Sequence, residues 1–214
     1  MTALERIEQE KLIAILRGIP EDKILNLASA LHRGGISLIE VTFDPKDAEN
    51  AETRTAIRRI REAFSGEVCV GAGTVLTVKQ VRDAAEAGAE YIISPNVSEA
   101  VIRETKRLGL LSVPGALTPT EIQAAHEYGA DFVKLFPVSN LGPAYVKAVA
   151  APLSHIRLLA VGGVKPDNIR DFLAAGACGV GAAGNMVNRE WMNNGEWDKI
   201  TASAGEFVNG VKKA

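Results

Sequence analysis

The chain has 214 residues, of which 47% are hydrophobic, 5% aromatic and 23% charged, and its net charge at neutral pH is −2. This length suits one domain over residues 1–214, the apolar content excludes a disordered chain, and the balanced charge argues against a nucleic-acid partner. The cysteines, Cys69 and Cys178, have no CxxC spacing, and no run of eighteen apolar residues occurs. We therefore expect a reduced, cytoplasmic protein without a membrane partner.

Several stretches share one pattern, in which an amphipathic helix is followed by a glycine and then by a short apolar run, as in HRGGISLIEV and EYGADFVKLFP. A glycine can end a helix in a left-handed cap, and the apolar runs are too continuous for strands with one wet face. The pattern predicts buried parallel strands near residues 11–17, 36–43, 67–71, 89–94, 110–114, 131–136, 156–161 and 178–182.

The helix starts support this division of the chain, because residues such as Thr77, Ser98 and Thr118 stand where N-caps belong. Eight evenly spaced units without a long insertion predict an α/β fold of the (β/α)8 TIM-barrel type, preceded by a short N-terminal helix. A doubly wound open sheet uses the same units and is the alternative. A helix over about 198–213 should complete the barrel, and 189–196 is either a loop or a lid.

Lys134 is the most informative residue, because it interrupts the apolar strand DFVKLFP. Alternation places Lys134 and Phe136 inside the barrel and Val133 and Leu135 under the helices. A buried ammonium loses hydration, which favours the neutral, nucleophilic amine that Schiff-base enzymes need. The alternative is a structural lysine paired with a carboxylate such as Glu40.

Glu40 has the same inward register as Leu38 and Thr42 in SLIEVTF. In the mouth of a barrel, where active sites lie, burial should raise its pKa and let it transfer protons near pH 7. A carboxylate that only neutralises Lys134, or Arg17 at the end of the first strand, would occupy the same position.

Three glycine-containing turns follow strands and predict anion sites. In GAGT at 71–74, backbone N–H groups and the Thr74 hydroxyl could hold a carboxylate, although a tight turn explains the same letters. VGGV at 161–164 and GAAGN at 181–185 end the last two strands, where barrels commonly bind phosphate, and close helix packing is the alternative. The predicted phosphate-binding residues are Gly162, Gly163, Ala183, Gly184 and Asn185. The three histidines lie away from strand ends, so no metal is expected.

The motifs KLIAILRG, GGISLIEVTF, VGAGTVL, ISPN, VPGALTPTE, VKLFP, GPAYVKA and VGGV occur in this order. Together they resemble the class I 2-keto-3-deoxy-6-phosphogluconate (KDPG) / 4-hydroxy-2-oxoglutarate (KHG) aldolase family, up to about residue 187. The resemblance implies a homotrimeric Schiff-base lyase that needs no cofactor. Its substrate would be a 2-keto acid: a 2-keto-3-deoxy-6-phospho sugar acid, cleaved to pyruvate and glyceraldehyde 3-phosphate, or 4-hydroxy-2-oxoglutarate, cleaved to pyruvate and glyoxylate.

Residue roles follow from the same resemblance. It implies that Lys134 forms the Schiff base and that Glu40 is the general acid and base. The substrate-binding positions that it implies are Arg17, Gly73, Thr74, Pro95, Phe136 and Val161.

The chain departs from the family pattern at three places. Asp44 stands where some members have an arginine, which shifts carboxylate binding towards Arg17 and Thr74. Val161 replaces the threonine common in the gluconate branch and matches members that cleave the galactonate epimer. The loop Ala183-Gly184-Asn185 lacks the usual serine, which leaves phosphate binding open. A phosphate-binding isomerase or decarboxylase, in which Lys134 is only a point charge, and a non-catalytic sugar-acid-binding barrel are the alternatives.

Overall fold

The computed structural model describes residues 1–47, 49–184 and 186–213. Its strands are β1 (Leu12–Leu16), β2 (Leu38–Thr42), β3 (Cys69–Gly73), β4 (Tyr91–Ile93), β5 (Leu111–Val113), β6 (Gly115–Ala116), β7 (Val133–Leu135), β8 (Leu158–Val161) and β9 (Gly179–Ala182). Its helices are α1 (Ala3–Glu10), α2 (Ile24–Arg33), α3 (Ala51–Phe64), α4 (Val78–Ala87), α5 (Glu99–Arg107), α6 (Pro119–Glu127), α7 (Gly142–Ala150), α8 (Ile169–Ala174), α9 (Arg189–Asn193) and α10 (Trp197–Lys212).

All strand pairs are parallel, and the sheet order is β5-β4-β3-β2-β1-β9-β8-β7-β6. The two edge segments, β5 and β6, are separated only by Pro114, which has no N–H to donate to a ladder. They are therefore two halves of one strand: the first half pairs with β4 and the second with β7. The sheet closes into an eight-stranded TIM-type barrel, which confirms the predicted fold and rules out the open doubly wound sheet.

The predicted strand positions match the structure except for the third strand. That strand was expected at 67–71 and lies at Cys69–Gly73. The glycines of GAGT therefore belong to the strand rather than to a turn, and they face inward, where neighbouring side chains use the space that they leave. Residues 189–196 contain the short helix α9, whose N-cap Asn188 accepts hydrogen bonds from two backbone N–H groups at its start.

The apolar side chains form two layers, as alternation predicts. Val133 and Leu135 belong to the layer between strands and helices, whereas Phe132 lies inside the barrel. Ile7 of α1 packs against this interior cluster, so the N-terminal helix fills the end of the barrel where the strands begin. The opposite end, where the strands finish, is left for polar groups.

The helix starts follow the predicted capping chemistry. Thr77 and Thr118 each form a capping box, and Pro119 occupies the first turn of α6. Ser98 is also an N-cap, although its side chain makes no capping hydrogen bond. In the part of the chain that is described, no helix has the length and apolar character needed to span a membrane.

Candidate active site

Lys134 lies in the middle of β7, and only 6% of its surface is exposed. Its backbone N–H donates to the carbonyl of Pro114 at 2.9 Å, which fixes the strand where β5 and β6 meet. The Lys134 Nζ is 4.8 Å from the centroid of the Phe136 ring, close enough for a cation–π contact. The amine is thus held inside the barrel on the face that alternation predicts.

Glu40 lies in β2 with 1% of its surface exposed. Burial raises the pKa of this carboxyl group, and the positive charges of Lys134 and Arg17 oppose that rise only in part. Its Oε1 has no hydrogen-bond partner among the described residues. The raised pKa agrees with the expectation from the sequence, and it is typical of carboxyl groups that transfer protons.

Gly73 provides the room for this carboxyl group. A Cβ added at Gly73 would lie 1.8 Å from Glu40 Oε1 and 2.5 Å from its carboxyl carbon. Gly73 therefore acts by having no side chain, which explains a glycine at the end of β3 in terms of the site.

Arg17 and Thr74 meet at the end of the barrel where the strands finish. The Arg17 Nη2 donates to the Thr74 Oγ1 at 3.4 Å, and Arg189 Nη2 donates to the Arg17 carbonyl at the same distance. Thr74 has a φ of +54°, a left-handed conformation that is strained for a β-branched residue. Such strain is often retained where it places a side chain for function.

Arg17, Thr74 and Lys134 line a cavity of about 400 Å³. The predicted residues that line it are Arg17, Thr74, Pro95, Lys134, Phe136, Val161, Gly162, Gly163, Ala183 and Gly184. Glu40 and Gly73 are buried next to this lining, and Asn185 lies outside the described residues. The structure thus brings nearly all of the predicted residues to one place.

The loop after β8 is closely packed, and its conformation depends on two glycines. Gly162 and Gly163 have φ values of +105° and +72°, and a Cβ on Gly163 would lie 3.0 Å from Ser139. The Asn168 Nδ2 donates to the Gly163 carbonyl at 3.0 Å, and the Asn168 Oδ1 accepts from the Lys165 backbone N–H at 2.8 Å. The packing alternative therefore explains part of the glycine pattern.

Lys165 lines the cavity and was missed by the sequence analysis. It is exposed, and within the described residues it forms no ion pair. A signal was present, since Lys165 directly follows VGGV at the end of β8. A cation on the rim beside two glycine loops complements a negatively charged ligand group.

The arrangement permits a defined set of reactions. An amine such as Lys134 can add to a carbonyl carbon, a carboxyl group such as Glu40 can transfer protons, and Arg17 with Thr74 can bind a carboxylate. No group of three or more His, Cys, Asp or Glu side chains among the described residues is arranged to hold a metal. The site is therefore suited to covalent chemistry on a keto acid.

A family model for KDPG and KHG aldolases matches residues 4–203. The chain belongs to this aldolase family. The aldolase is 38% identical over 204 residues to the 2-dehydro-3-deoxy-6-phosphogalactonate aldolase of Escherichia coli (strain K12), with 95% of each protein covered. It is therefore a carbon–carbon lyase, and the isomerase, decarboxylase and non-catalytic alternatives lose their support.

Solved structures agree with this assignment. The "Native KDPGal structure" has a TM-score of 0.85 and 34% identity to the aldolase, and 94% of each chain is covered. A cube-shaped, highly porous protein cage designed by fusing symmetric oligomeric domains also has a TM-score of 0.85, with 35% identity; the match covers 95% of the aldolase and 72% of the cage chain.

Proposed function

We propose that the aldolase cleaves 2-keto-3-deoxy acids through a Schiff base on Lys134. The observation that carries this proposal is a buried lysine inside the barrel, next to a cavity and within the electrostatic influence of a buried carboxyl group, Glu40. A lysine held in this way is the usual nucleophile for a carbonyl substrate.

In the proposed reaction, the Lys134 amine adds to the C2 carbonyl carbon and loses water to give an iminium. Glu40 then takes the proton of the C4 hydroxyl, the C3–C4 bond breaks, and its electron pair enters the iminium to form an enamine. The aldehyde leaves, and Glu40 returns the proton to C3. Hydrolysis of the resulting iminium releases pyruvate and the free amine, so the cycle needs no cofactor.

We assign the substrate's carboxylate to Arg17 and Thr74. The Arg17 Nη2 and the Thr74 Oγ1 lie 3.4 Å apart, so the guanidinium and the hydroxyl can donate hydrogen bonds to the same carboxylate. Pro95 and Phe136 would form the walls beside the reacting carbons, and Val161 would contact the carbon chain.

At the opposite rim, we assign a phosphate to Gly162, Gly163, Ala183 and Gly184, with Asn185 included on the sequence pattern alone. Backbone N–H groups of glycine-rich turns bind phosphate in many barrels, and Lys165 supplies a positive charge there.

The proposed substrate is thus a 2-keto-3-deoxy-6-phospho sugar acid, cleaved to pyruvate and glyceraldehyde 3-phosphate. The galactonate type is favoured by the Escherichia coli relative and by Val161. 4-Hydroxy-2-oxoglutarate, cleaved to pyruvate and glyoxylate, is the second substrate.

We further propose that residues 1–214 form one domain that works as a cytoplasmic homotrimer. Support for self-association comes from the cage built from symmetric oligomeric domains and from two exposed side chains, Leu76 and Leu141, each 41% accessible. Light scattering should give three times the chain mass, and a monomer at working concentration would contradict the trimer.

The chemistry is tested by reducing the aldolase with borohydride in the presence of pyruvate and mapping the adduct by peptide mass spectrometry. The adduct should lie on Lys134 and should disappear, together with retro-aldol turnover, in Lys134→Arg. Lys165→Arg is the matched control, because Lys165 lines the same cavity, and it should keep the adduct. An adduct that survives in Lys134→Arg, or turnover near that of the wild type, would refute the assignment.

A further inference from the structure

Tyr91 is a second buried polar group inside the barrel that the proposed mechanism does not use. Its surface is fully buried, and its hydroxyl has no hydrogen-bond partner among the described residues. Burial raises the pKa of this hydroxyl well above its ordinary value, and neighbouring acidic groups including Glu40 add to the rise. The hydroxyl therefore stays protonated at working pH and remains a hydrogen-bond donor.

Two glycines of β3 bring the Tyr91 ring and the Glu40 carboxyl onto the same inward face of the barrel. The end of the Tyr91 ring lies over Gly71, where an added Cβ would be 2.2 Å from Cε2 and 2.5 Å from Cζ. The Glu40 carboxyl lies over Gly73, two residues along the same inward face. Since Gly71 is also the register partner of Glu40, the ring reaches from β4 across β3 towards the strand that carries Glu40.

The two groups are chemically complementary. Leaving a buried polar group without a partner costs about 1–3 kcal/mol, so two such groups on the same inward face favour an interaction through a shared water. Tyr91 offers a donor, and the unpartnered Glu40 Oε1 is an acceptor when the carboxyl is ionised. A phenylalanine would fill the space over Gly71 equally well, so packing alone does not account for the hydroxyl.

We propose that Tyr91 is a positioning residue for aldol cleavage: its hydroxyl donates a hydrogen bond to one buried water, which in turn donates to the Glu40 carboxylate. This inference rests on the proposed role of Glu40. The hydrogen bond holds the carboxylate in place and favours its ionised form, so that Glu40 can accept a proton despite its burial.

The other groups around Glu40 do not provide a constant donor. Lys134 reaches it from β7 and Arg17 from the end of β1, but the first becomes an iminium and the second binds the substrate in the proposed cycle. Cys69 of β3, Glu90 and Glu10 are the other titratable groups that act electrostatically on Tyr91. Burial raises the pKa of the Cys69 thiol, so this group also stays protonated. Tyr91 is thus the neutral donor that persists through every step.

The test is the pH dependence of retro-aldol kcat and KM in Tyr91→Phe. We expect the acid limb of kcat to move to higher pH by roughly half to one unit, as expected for the loss of one hydrogen bond to the ionised form. KM and the borohydride adduct on Lys134 should be unchanged. Tyr128→Phe is the matched control, because Tyr128 lies outside the barrel interior against Arg103, and its profile should not move.

A second substitution tests the same proposal if Tyr91→Phe folds poorly. Replacing Tyr91 by 3-fluorotyrosine preserves the ring and makes the hydroxyl a stronger donor, so the acid limb should move to lower pH. An unmoved limb in either variant would overturn the inference, since a purely structural Tyr91 affects only thermal stability. Glu40→Gln separates the two proposals: if that variant keeps turnover, the role of Glu40 fails, whereas an inactive Glu40→Gln with an unmoved Tyr91 profile rejects Tyr91 alone.

Discussion

The carboxyl group of Glu40 occupies the space that a side chain at Gly73 would need, because a Cβ at Gly73 would lie 1.8 Å from Glu40 Oε1. We therefore expect Gly73→Ala to push the carboxyl out of position and lower retro-aldol kcat about 100-fold, the usual cost of an ångström-scale misplacement. The backbone at Gly73 has no positive φ, and the displaced atoms end a flexible side chain, so the fold should persist.

Steady-state kinetics and a thermal melt test this expectation together. Gly205→Ala in α10 is the control, because its added Cβ would meet no atom closer than 4.0 Å. That variant should keep full activity and gain a little stability from the better helix propensity of alanine. Full activity in Gly73→Ala would show that the carboxyl position is unimportant.

Thr74 combines backbone strain with a proposed binding role. We expect Thr74→Gly to stabilise the protein by about 1–2 kcal/mol through relief of its left-handed conformation, which would raise Tm by several degrees. The same change removes the hydroxyl beside Arg17, so KM for the keto acid should rise roughly tenfold. Thr74→Ser keeps the hydroxyl and should retain KM. A Thr74→Gly variant with unchanged KM would remove Thr74 from the carboxylate site.

Sequence reasoning found the barrel and its main polar residues because both depend on local patterns. Apolar runs after glycines predicted the strands, and alternation within DFVKLFP predicted that Lys134 lies inside the barrel. A charged residue in an otherwise apolar strand is visible without coordinates, and the same holds for Glu40 in SLIEVTF.

The features that were missed depend on packing between strands. The sequence pattern placed Gly71 and Gly73 in a turn, because it gives no sign that the side chains of Tyr91 and Glu40 occupy the space beside these glycines. Tyr91 itself looks like an ordinary core aromatic in YIIS, and only its position over Gly71 relates it to Glu40. Lys165 directly follows VGGV in the sequence, but only the cavity shows that it shares one space with the loop after β9.

The raised pKa of Glu40 makes stability depend on pH in a defined direction. The folded protein holds this proton more tightly than the unfolded chain, so the contribution of Glu40 is complete below the ordinary value of 4.5 and is lost as pH rises through the raised value. We expect Glu40→Gln, which has no such proton, to gain Tm relative to the wild type between pH 5 and pH 8. Turnover should fall by about 100-fold or more, as for other general acid–base residues.

Melting curves at both pH values provide this measurement. Glu62→Gln on the exposed surface of α3 is the control and should leave the difference from the wild type independent of pH. A Tm difference for Glu40→Gln that shrinks as pH rises would mean that Glu40 is stabilised as a carboxylate, with Lys134 and Arg17 outweighing burial.

Lys165 offers a way to separate phosphate binding from the chemistry at Lys134. It lines the cavity beside Gly162 and Gly163 and is not held in an ion pair within the described residues, so its charge is free to meet a phosphate. We expect Lys165→Gln to raise KM for the phosphorylated sugar acid roughly five- to tenfold, which corresponds to about 1 kcal/mol. KM for 4-hydroxy-2-oxoglutarate, which has no phosphate, should not change.

Lys147→Gln on the exposed side of α7 is the charge-matched control and should affect neither substrate. An equal rise for both substrates would place Lys165 near the carboxylate instead, and no rise for either would leave the glycine loops as the sole phosphate donors.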